Sequence, residues 1–382
     1  MSHLRKVLFT ESSPNIGGQE LQLLAQAEGL AAKGVETLLV CRPNSRIAEH
    51  AAHRRIAVSH LPFRNSLHLP SIIGLCRLLR RYRPDAIIAH SGHDANAVAL
   101  AARLLSRRPV LARSRTYQPG IPNAWTYNIL FDLTLVPSRF LRDMLLRNPR
   151  IKSERIRLLY PGIDFDDASP PAMPPAWLQE LLKAGRRIVL HAAMLRPEKG
   201  HQLILAALPE LIQRYPDINY VIAGEGGYLD VLQHQTATLG LQSHVTFAGM
   251  IGDMPSVMRH AELVIMPSSY EPLGMSQIEA LGMQVPVIAS RTGGVPETIE
   301  DKHTGLLAQP DDVADWQAKL AWALEHPDEM RTMAREGRRV VRQQFSRSGN
   351  IEQLEQYLIE GLRQLRKSEL SPDQRADVRA DR

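Results

Sequence analysis

Cysteines, aromatic residues and long apolar runs are all scarce in this chain of 382 residues. Its two cysteines, Cys41 and Cys76, form neither a CxxC pair nor a zinc-type cluster, which excludes a disulfide framework and favours a reducing compartment. Aromatic residues make up only 5% of the sequence. No run of about 18 apolar residues occurs, and the stretch after Met1 lacks a signal-peptide core, so we expect a cytoplasmic protein without a membrane span.

Two common nucleotide-binding signatures are also missing. Neither a GxGxxG fingerprint nor a GxxxxGKS/T segment occurs, so a dinucleotide-binding motif and a P-loop are both unsupported. No cluster of His, Cys, Asp and Glu has the spacing of metal ligands. We therefore expect chemistry that uses neither a metal nor a cofactor.

The basic residues are unevenly distributed along the chain. The net charge is +6, but residues 1–165 carry 24 Lys and Arg against 11 Asp and Glu, whereas residues 166–382 carry 22 against 29. This asymmetry predicts an anionic partner for the first part. Nucleic acid is disfavoured because few aromatic residues accompany the basic ones and no nucleic-acid module occurs. An anionic membrane surface or an anionic, phosphorylated acceptor fits better.

One predicted helix, 71–83, combines apolar residues with four arginines. These are Arg77, Arg80, Arg81 and Arg83. The pattern is typical of a helix that lies in a membrane interface, and equally of a helix that packs on a sheet with its arginines in water.

Strand-like and helix-like segments alternate in two series of similar length, which predicts an α/β chain of two doubly wound domains. Strands are predicted at 7–10, 36–40, 85–90, 110–113, 134–137 and 156–160, and again at 188–192, 220–223, 245–248, 263–266, 285–289 and 305–308. A proline-rich stretch, 164–177, has the composition of a linker. We therefore predict domains at 1–165 and 176–345, a final helix at 346–367 and a disordered tail at 368–382.

Glu271 and Glu279 stand eight positions apart around a Pro-x-Gly turn. The apolar run before them predicts a buried strand, so Glu271 falls in a loop at the carboxyl end of a parallel strand, where open α/β sheets bind ligands. Glu279 falls inside the following helix, about 7 Å further along its axis than Gly274. The two carboxylates can hold the two ends of an extended polar ligand. The alternative is a helix-capping glutamate and an ordinary surface glutamate.

Three further segments follow predicted strands. Arg196 and Lys199 precede a helix start and can clamp a diphosphate, unless they form a solvated turn. Gly17 and Gly18 open the first helix and allow a phosphate or sugar to approach the backbone, although a bare turn fits as well. His93 can position a hydroxyl or carry a proton, or can be a helix-start histidine without a role.

Together these segments resemble the retaining glycosyltransferases of family 4, which have the GT-B fold of two Rossmann-like domains facing across a cleft. The resemblance covers nearly the whole chain to about Phe345. It rests on an ordered set of motifs at 17–18, 161–164, 197–200, 224–226, 247–249, 266–268, 271–279 and 292–297.

The resemblance implies a UDP- or GDP-linked sugar donor on the second domain and a glycan or lipid-linked acceptor on the first. It implies that Glu279 binds ribose hydroxyls, that Glu271 faces the transferred sugar and that Lys199 neutralises the diphosphate. The candidate catalytic residues are Glu271, from the resemblance, and His93, from its position after a predicted strand. The implied donor-binding residues are Gly17, Gly18, Arg196, Lys199, Leu273, Gly274, Met275, Ser276 and Glu279. The expected activity is a metal-independent hexosyl transfer in lipopolysaccharide or exopolysaccharide synthesis. The expected location is the cytoplasm, with peripheral contact at the inner face of the cytoplasmic membrane.

The sequence departs from the family pattern at three places. Met194 stands where the family has a clamp arginine, and Arg196 is the nearest replacement. Pro161 replaces an asparagine before the linker, and Arg115 lies in a segment where many members carry a histidine. Two alternatives remain: a sugar-nucleotide epimerase or hydrolase on the same scaffold, and a nucleotide-binding protein without catalysis. The presence of both glutamates and the lysine disfavours the second.

Overall fold

The computed structural model describes residues 3–65, 67–117, 120–165 and 173–369. They form two compact units. Unit 1 contains the described residues up to Gly162 and from Arg347 onward, and unit 2 contains those between Ile163 and Ser346. Part of the predicted linker, 166–172, and nearly all of the predicted tail lie outside the described residues.

Unit 1 is built on a parallel sheet of seven strands in the order β3-β2-β1-β4-β5-β6-β7. The strands are β1 (Lys6–Glu11), β2 (Glu36–Cys41), β3 (Ala57–His60), β4 (Ala86–Ala89), β5 (Val110–Ser114), β6 (Leu133–Val136) and β7 (Ile156–Leu158). The strands at its centre are short apolar runs buried on both faces, as expected where helices cover a parallel sheet.

Unit 2 is built on a second parallel sheet, with six strands in the order β10-β9-β8-β11-β12-β13. The strands are β8 (Arg187–Ala192), β9 (Ile218–Ala223), β10 (Val245–Gly249), β11 (Leu263–Met266), β12 (Val287–Ser290) and β13 (Leu306–Ala308). The strand order reverses between β8 and β11, which makes this position the topological switch point of the sheet.

Helices cover both sheets. Those of unit 1 are α1 (Gly18–Ala32), α2 (Arg46–His53), α3 (Leu69–Tyr82), α4 (Gly92–Arg103), α5 (Arg139–Leu146) and α13 (Arg347–Glu369). Those of unit 2 are α6 (Ala176–Lys183), α7 (His201–Arg214), α8 (Leu229–Thr238), α9 (Met254–Met258), α10 (Ser276–Gly282), α11 (Val313–Glu325) and α12 (Pro327–Gln344). The last helix, α13, buries Ile351, Leu354 and Leu358 in the core cluster that α1 and β1 also form.

The two sheets confirm the predicted α/β class, and all twelve predicted strands are present within a few residues of their predicted ends. The thirteenth strand, β3, was not predicted. It is a four-residue edge strand with no fully buried position, so it lacks the apolar run that marked the others.

Candidate functional site

The switch point of unit 2 brings together residues that lie far apart in the sequence. Lys199 follows β8 and Glu271 follows β11, and these strands are neighbours in the sheet. The amino end of α10 starts at the same edge, because the Ser276 hydroxyl donates a hydrogen bond of 2.7 Å to the carbonyl oxygen of Ala192 at the end of β8. Ligands of doubly wound sheets bind in the crevice at this position.

Lys199 and Glu271 form an ion pair at this edge. The Lys199 Nζ donates a hydrogen bond of 2.6 Å to Glu271 Oε2, and the two side chains are only 23% and 13% exposed. The pair joins the two residues for which the resemblance implies contacts with the diphosphate and with the sugar. A ligand that carries a phosphate next to a polar ring can therefore contact the Lys199 ammonium and the Glu271 carboxylate at the same time.

Glu279 lies in the first turn of α10, beyond the pair. Burial raises the pKa of its carboxyl from 4.5 to about 7. Among the described residues, no side chain donates a hydrogen bond to this carboxyl or forms an ion pair with it. A part-buried acceptor without a partner is costly in the free protein and is ready to receive hydroxyl donors from a ligand.

The loops around Glu271 are held by backbone contacts that require glycine. The Gly294 N–H donates to the Glu271 carbonyl oxygen at 3.0 Å. A Cβ atom on Gly294 would lie 2.1 Å from the Pro272 carbonyl oxygen, so no larger residue fits without a shift of this backbone. Gly274, in the turn before α10, has a φ of +85°. The turn thus leaves the backbone from Leu273 to Ser276 close to the ion pair, at the start of α10.

The two residues considered for the clamp arginine, Met194 and Arg196, are both exposed to solvent. Met194, at the position of the family's clamp arginine, is 52% exposed. The Arg196 side chain is 55% exposed, and its only ion pair among the described residues is a 3.9 Å contact with Glu198. Arg196 therefore keeps its guanidinium available to an anion, which is what a replacement for the missing arginine requires.

A buried group of rings, which was not predicted, supports the Lys199 loop. The Nδ1 atom of His191 lies 2.8 Å from the Tyr220 hydroxyl, and the ring centres of His191 and His201 are 3.9 Å apart. His201 Nε2 lies 3.4 Å from the Met194 carbonyl oxygen. Burial, with a smaller effect from Lys199, lowers the pKa of His201 to about 4, so the ring is neutral near pH 7. The residues are dispersed over β8, α7 and β9, which is why no local motif revealed them.

The switch point of unit 1 lies between β1 and β4. The candidate site residues from the first part of the chain follow these two strands. Gly17 and Gly18 follow β1 and start α1, and His93 lies in the first turn of α4 after β4. The Gly17 N–H already donates to the Glu20 carboxylate at 2.8 Å. His93 is exposed.

Two buried carboxyls at the same edge were not predicted. Asp94 accepts hydrogen bonds from the hydroxyls of Thr10 and Ser12, at 2.5 and 3.0 Å. Glu11 accepts one from the hydroxyl of Ser91. Burial, and next to it the charge of Glu11, raises the pKa of Asp94 to about 7. These contacts tie the end of β1 to the start of α4, next to His93.

The described ranges show neither a membrane-spanning helix nor a metal-binding cluster. None of their helices combines the length and the apolar character needed to cross a bilayer. They also contain no group of three or more His, Cys, Asp and Glu side chains placed to hold a metal ion.

Solved structures of other proteins share this fold. A glycosyltransferase from Rickettsia africae superposes with a TM-score of 0.83 at 20% identity, over 94% of this chain and 99% of that one. Anabaena HepE, solved in complex with UDP-glucose, gives 0.80 at 21% identity over 93% and 99%. The two parallel-sheet domains are therefore those of a GT-B fold, as the resemblance predicted.

Sequence comparison identifies the family. The profile of "Glycosyltransferase Family 4" matches residues 16–167, and that of "Glycosyl transferases group 1" matches residues 176–340. The chain belongs to glycosyltransferase family 4.

Individual relatives match a smaller part. The GDP-mannose-dependent alpha-(1-6)-phosphatidylinositol monomannoside mannosyltransferase of Mycolicibacterium smegmatis is 36% identical over 42% of this chain and 45% of its own length. The alpha-D-kanosaminyltransferase of Streptomyces kanamyceticus is 31% identical over 56% of each. The matched region thus spans about half the length of these curated relatives.

Proposed function

We propose that this protein is a retaining glycosyltransferase that transfers a hexose from a UDP- or GDP-linked sugar to an anionic glycan or lipid-linked acceptor. The observation that carries the proposal is Glu279, a part-buried carboxyl without a partner, in the helix that starts beside the Lys199–Glu271 pair. A nucleoside diphosphate sugar offers hydroxyls for Glu279, a diphosphate for Lys199 and a sugar ring for Glu271.

Two charges develop during the transfer, one on the leaving diphosphate and one on the sugar, and different residues stabilise each of them. The bond from the anomeric carbon to the diphosphate oxygen breaks, and a bond to the acceptor oxygen forms on the same face of the sugar. Lys199, helped by Arg196, stabilises the negative charge that develops on the leaving diphosphate. Glu271, with the backbone N–H groups between Leu273 and Ser276, stabilises and orients the sugar as positive charge develops on it.

The acceptor proton requires no dedicated base in this scheme. The leaving phosphate oxygen lies on the face that the acceptor attacks, so it can receive the proton of the acceptor hydroxyl. The positive charge of Lys199 replaces the divalent cation that some sugar transfers use, and we therefore propose a metal-independent reaction. His93, exposed at the unit 1 switch point, is assigned to acceptor positioning.

Similar proteins support the choice of donor and acceptor classes. Anabaena HepE was solved with UDP-glucose, and the M. smegmatis relative is named as a GDP-mannose-dependent mannosyltransferase of phosphatidylinositol monomannoside. A lipopolysaccharide outer core galactosyltransferase shares the fold with a TM-score of 0.61. With the basic first part of the chain, these support a role in lipopolysaccharide or exopolysaccharide synthesis at the inner face of the cytoplasmic membrane.

Calorimetry on three single variants tests the proposal. Glu279→Ala and Lys199→Ala should each weaken UDP or GDP binding by about 1–3 kcal/mol, because each removes a charged hydrogen bond to the nucleotide. Glu271→Ala should leave nucleoside diphosphate affinity equal to wild type or higher, because it frees Lys199 from its ion pair. The same variant should lower kcat for sugar transfer strongly, because the lost contact matters where charge develops.

The alternatives give different results. Unchanged nucleotide affinity in both Glu279→Ala and Lys199→Ala would show that the donor does not bind at this site of unit 2. Release of a free epimerised sugar without any acceptor would instead assign the protein to the epimerase class. Full turnover by Glu271→Ala would exclude Glu271 from the reaction.

A further inference from the structure

A cleft lined by five arginines lies at the edge of the unit 1 sheet opposite to its switch point. It has a volume of about 530 Å³ and is bordered by the end of α3, the segment between α4 and β5, and the last turns of α13. We call it the arginine cleft. Its arginines are Arg80, Arg83, Arg107, Arg108 and Arg366.

Three of these guanidinium groups are uncommitted. Within the described part of the chain, the side chains of Arg80, Arg83 and Arg107 take part in no hydrogen bond or ion pair, and all three residues are exposed. Arg108, by contrast, is held by a two-bond contact with Asp132, at 2.6 and 2.9 Å. The cleft therefore presents free cationic donors beside one that is fixed in place.

The single carboxylate in the wall does not neutralise these donors. Asp85 Oδ2 accepts hydrogen bonds from the backbone N–H groups of Arg5 and Lys6, at 2.8 and 3.1 Å. Its own partners are thus backbone groups at the start of β1 rather than the guanidinium groups of the cleft. The floor is apolar, formed by Leu79 and Leu362.

Helix-end electrostatics explains only some of the arginines. Basic residues in the last turn of a helix interact well with the helix dipole, which accounts for Arg80 and Arg366. Arg107 and Arg108 lie outside any helix, in the loop before β5. Arg83 ends α3 in the left-handed conformation, with a φ of 52°, where glycine is the unstrained residue. A purely structural role at this position would favour glycine over arginine.

We propose that the arginine cleft binds an oligophosphate, meaning two or more linked phosphate groups, in a site separate from the donor site. Guanidinium groups bind phosphate oxygens in pairs of parallel hydrogen bonds, and a ligand with several such oxygens can engage arginines from three chain segments at once. A single carboxylate offers too few acceptors for them. The oligophosphate can be free in solution or can be the headgroup of a lipid whose chain lies along the apolar floor.

Titration with sodium tripolyphosphate tests the proposal. The full chain is used in a Lys199→Ala background, which weakens phosphate binding at the donor site of the proposed function. Arg83→Gln/Arg107→Gln is compared with Arg77→Gln/Arg81→Gln, which removes the same charge from exposed positions of α3 that do not line the cleft. We expect the first pair to weaken binding about tenfold or more and the second about twofold or less. Unchanged thermal unfolding in each variant verifies that the fold is intact.

A second arm distinguishes the two sources of the ligand. Phosphatidylcholine vesicles are used with and without a lipid diphosphate. If co-sedimentation requires the lipid diphosphate and is lost in Arg83→Gln/Arg107→Gln, the ligand of the cleft is a lipid headgroup. If tripolyphosphate binds but the protein does not co-sediment with these vesicles, the ligand is a free oligophosphate. Equal weakening by both pairs of substitutions, or no tripolyphosphate binding in the parent, would overturn the proposal.

Discussion

At the scale of single residues, Glu279 carries a carboxyl in unit 2 whose protonation is perturbed by burial. Its carboxyl has a pKa raised from 4.5 to about 7, and burial is the cause. The folded state therefore binds the proton more tightly than the unfolded chain does. This contribution to stability is present below about pH 4.5 and is lost as the pH rises through about 7.

We predict that Glu279→Gln is more stable than the wild type at pH 8 by about 1–2 kcal/mol, and that the difference shrinks toward pH 5. The reason is that only the wild type must hold an ionised carboxylate in a poorly solvated place. Urea unfolding followed by tryptophan fluorescence measures it, since three of the four tryptophans, Trp177, Trp316 and Trp322, lie in unit 2. An identical difference at both pH values would show that the carboxyl is not desolvated.

The sequence singled out individual candidate residues of the site, but not the contacts between them. Lys199 and Glu271 were both selected, but not their ion pair, because they are 72 positions apart and meet only through the pairing of β8 with β11. Asp94 and Glu11 were not selected, because a carboxyl in a sequence shows nothing of its burial. Their position emerges only when β1 and β4 lie side by side.

At the scale of elements, the alternation of apolar runs and amphipathic helices was enough to predict both sheets. Strands buried on both faces have a strong signal, and β3 was missed because it lies at the edge. The switch points could not be located from the sequence. Strand order depends on the direction that each crossover connection takes along the sheet, and the sequence does not show this direction. The glycines of the loops were recognised, but not the backbone groups that they approach.

The loop contact of Gly294 gives a prediction at this scale. Gly294→Ala places a Cβ 2.1 Å from the Pro272 carbonyl oxygen, so the backbone that carries Glu271 must move. We expect a loss of about 1–3 kcal/mol in the free energy of unfolding, the usual cost of overpacking, together with reduced sugar transfer. Gly252→Ala is the matched control, because a Cβ there meets no atom within 4 Å. Equal stability of the two variants would show that the loops adapt freely.

At the scale of the whole molecule, exposed apolar side chains accompany the basic charge of unit 1. Ile121 is 91% exposed and Trp125 58% exposed. Leu69 and Ile73 are exposed on α3, and Leu104 follows α4, which packs with α3 in one core cluster. Arginines and exposed apolar residues on adjoining segments are the combination that binds anionic lipid surfaces.

The last prediction is reversible docking of unit 1 on an anionic membrane, measured by co-sedimentation with vesicles. Each arginine near anionic lipid contributes about 1 kcal/mol, so a few of them with the apolar side chains suffice for attachment. Screening limits their reach to about 8 Å at physiological salt, so binding should weaken as salt rises. Arg77→Ser/Arg81→Ser should reduce binding to anionic vesicles without affecting the arginine cleft, since neither residue lines it. Leu69→Ser/Ile73→Ser should reduce the salt-resistant part of the binding.

The control for the lost charge is Arg331→Ser/Arg335→Ser, which removes two exposed arginines from α12 of unit 2. Because unit 2 carries no comparable excess of basic residues, this variant should sediment like the wild type. Neutral phosphatidylcholine vesicles should retain little of any variant, because the apolar residues alone are too few. If all the proteins sediment equally on neutral and anionic vesicles at both low and high salt, the basic charge of unit 1 must serve the acceptor rather than the membrane.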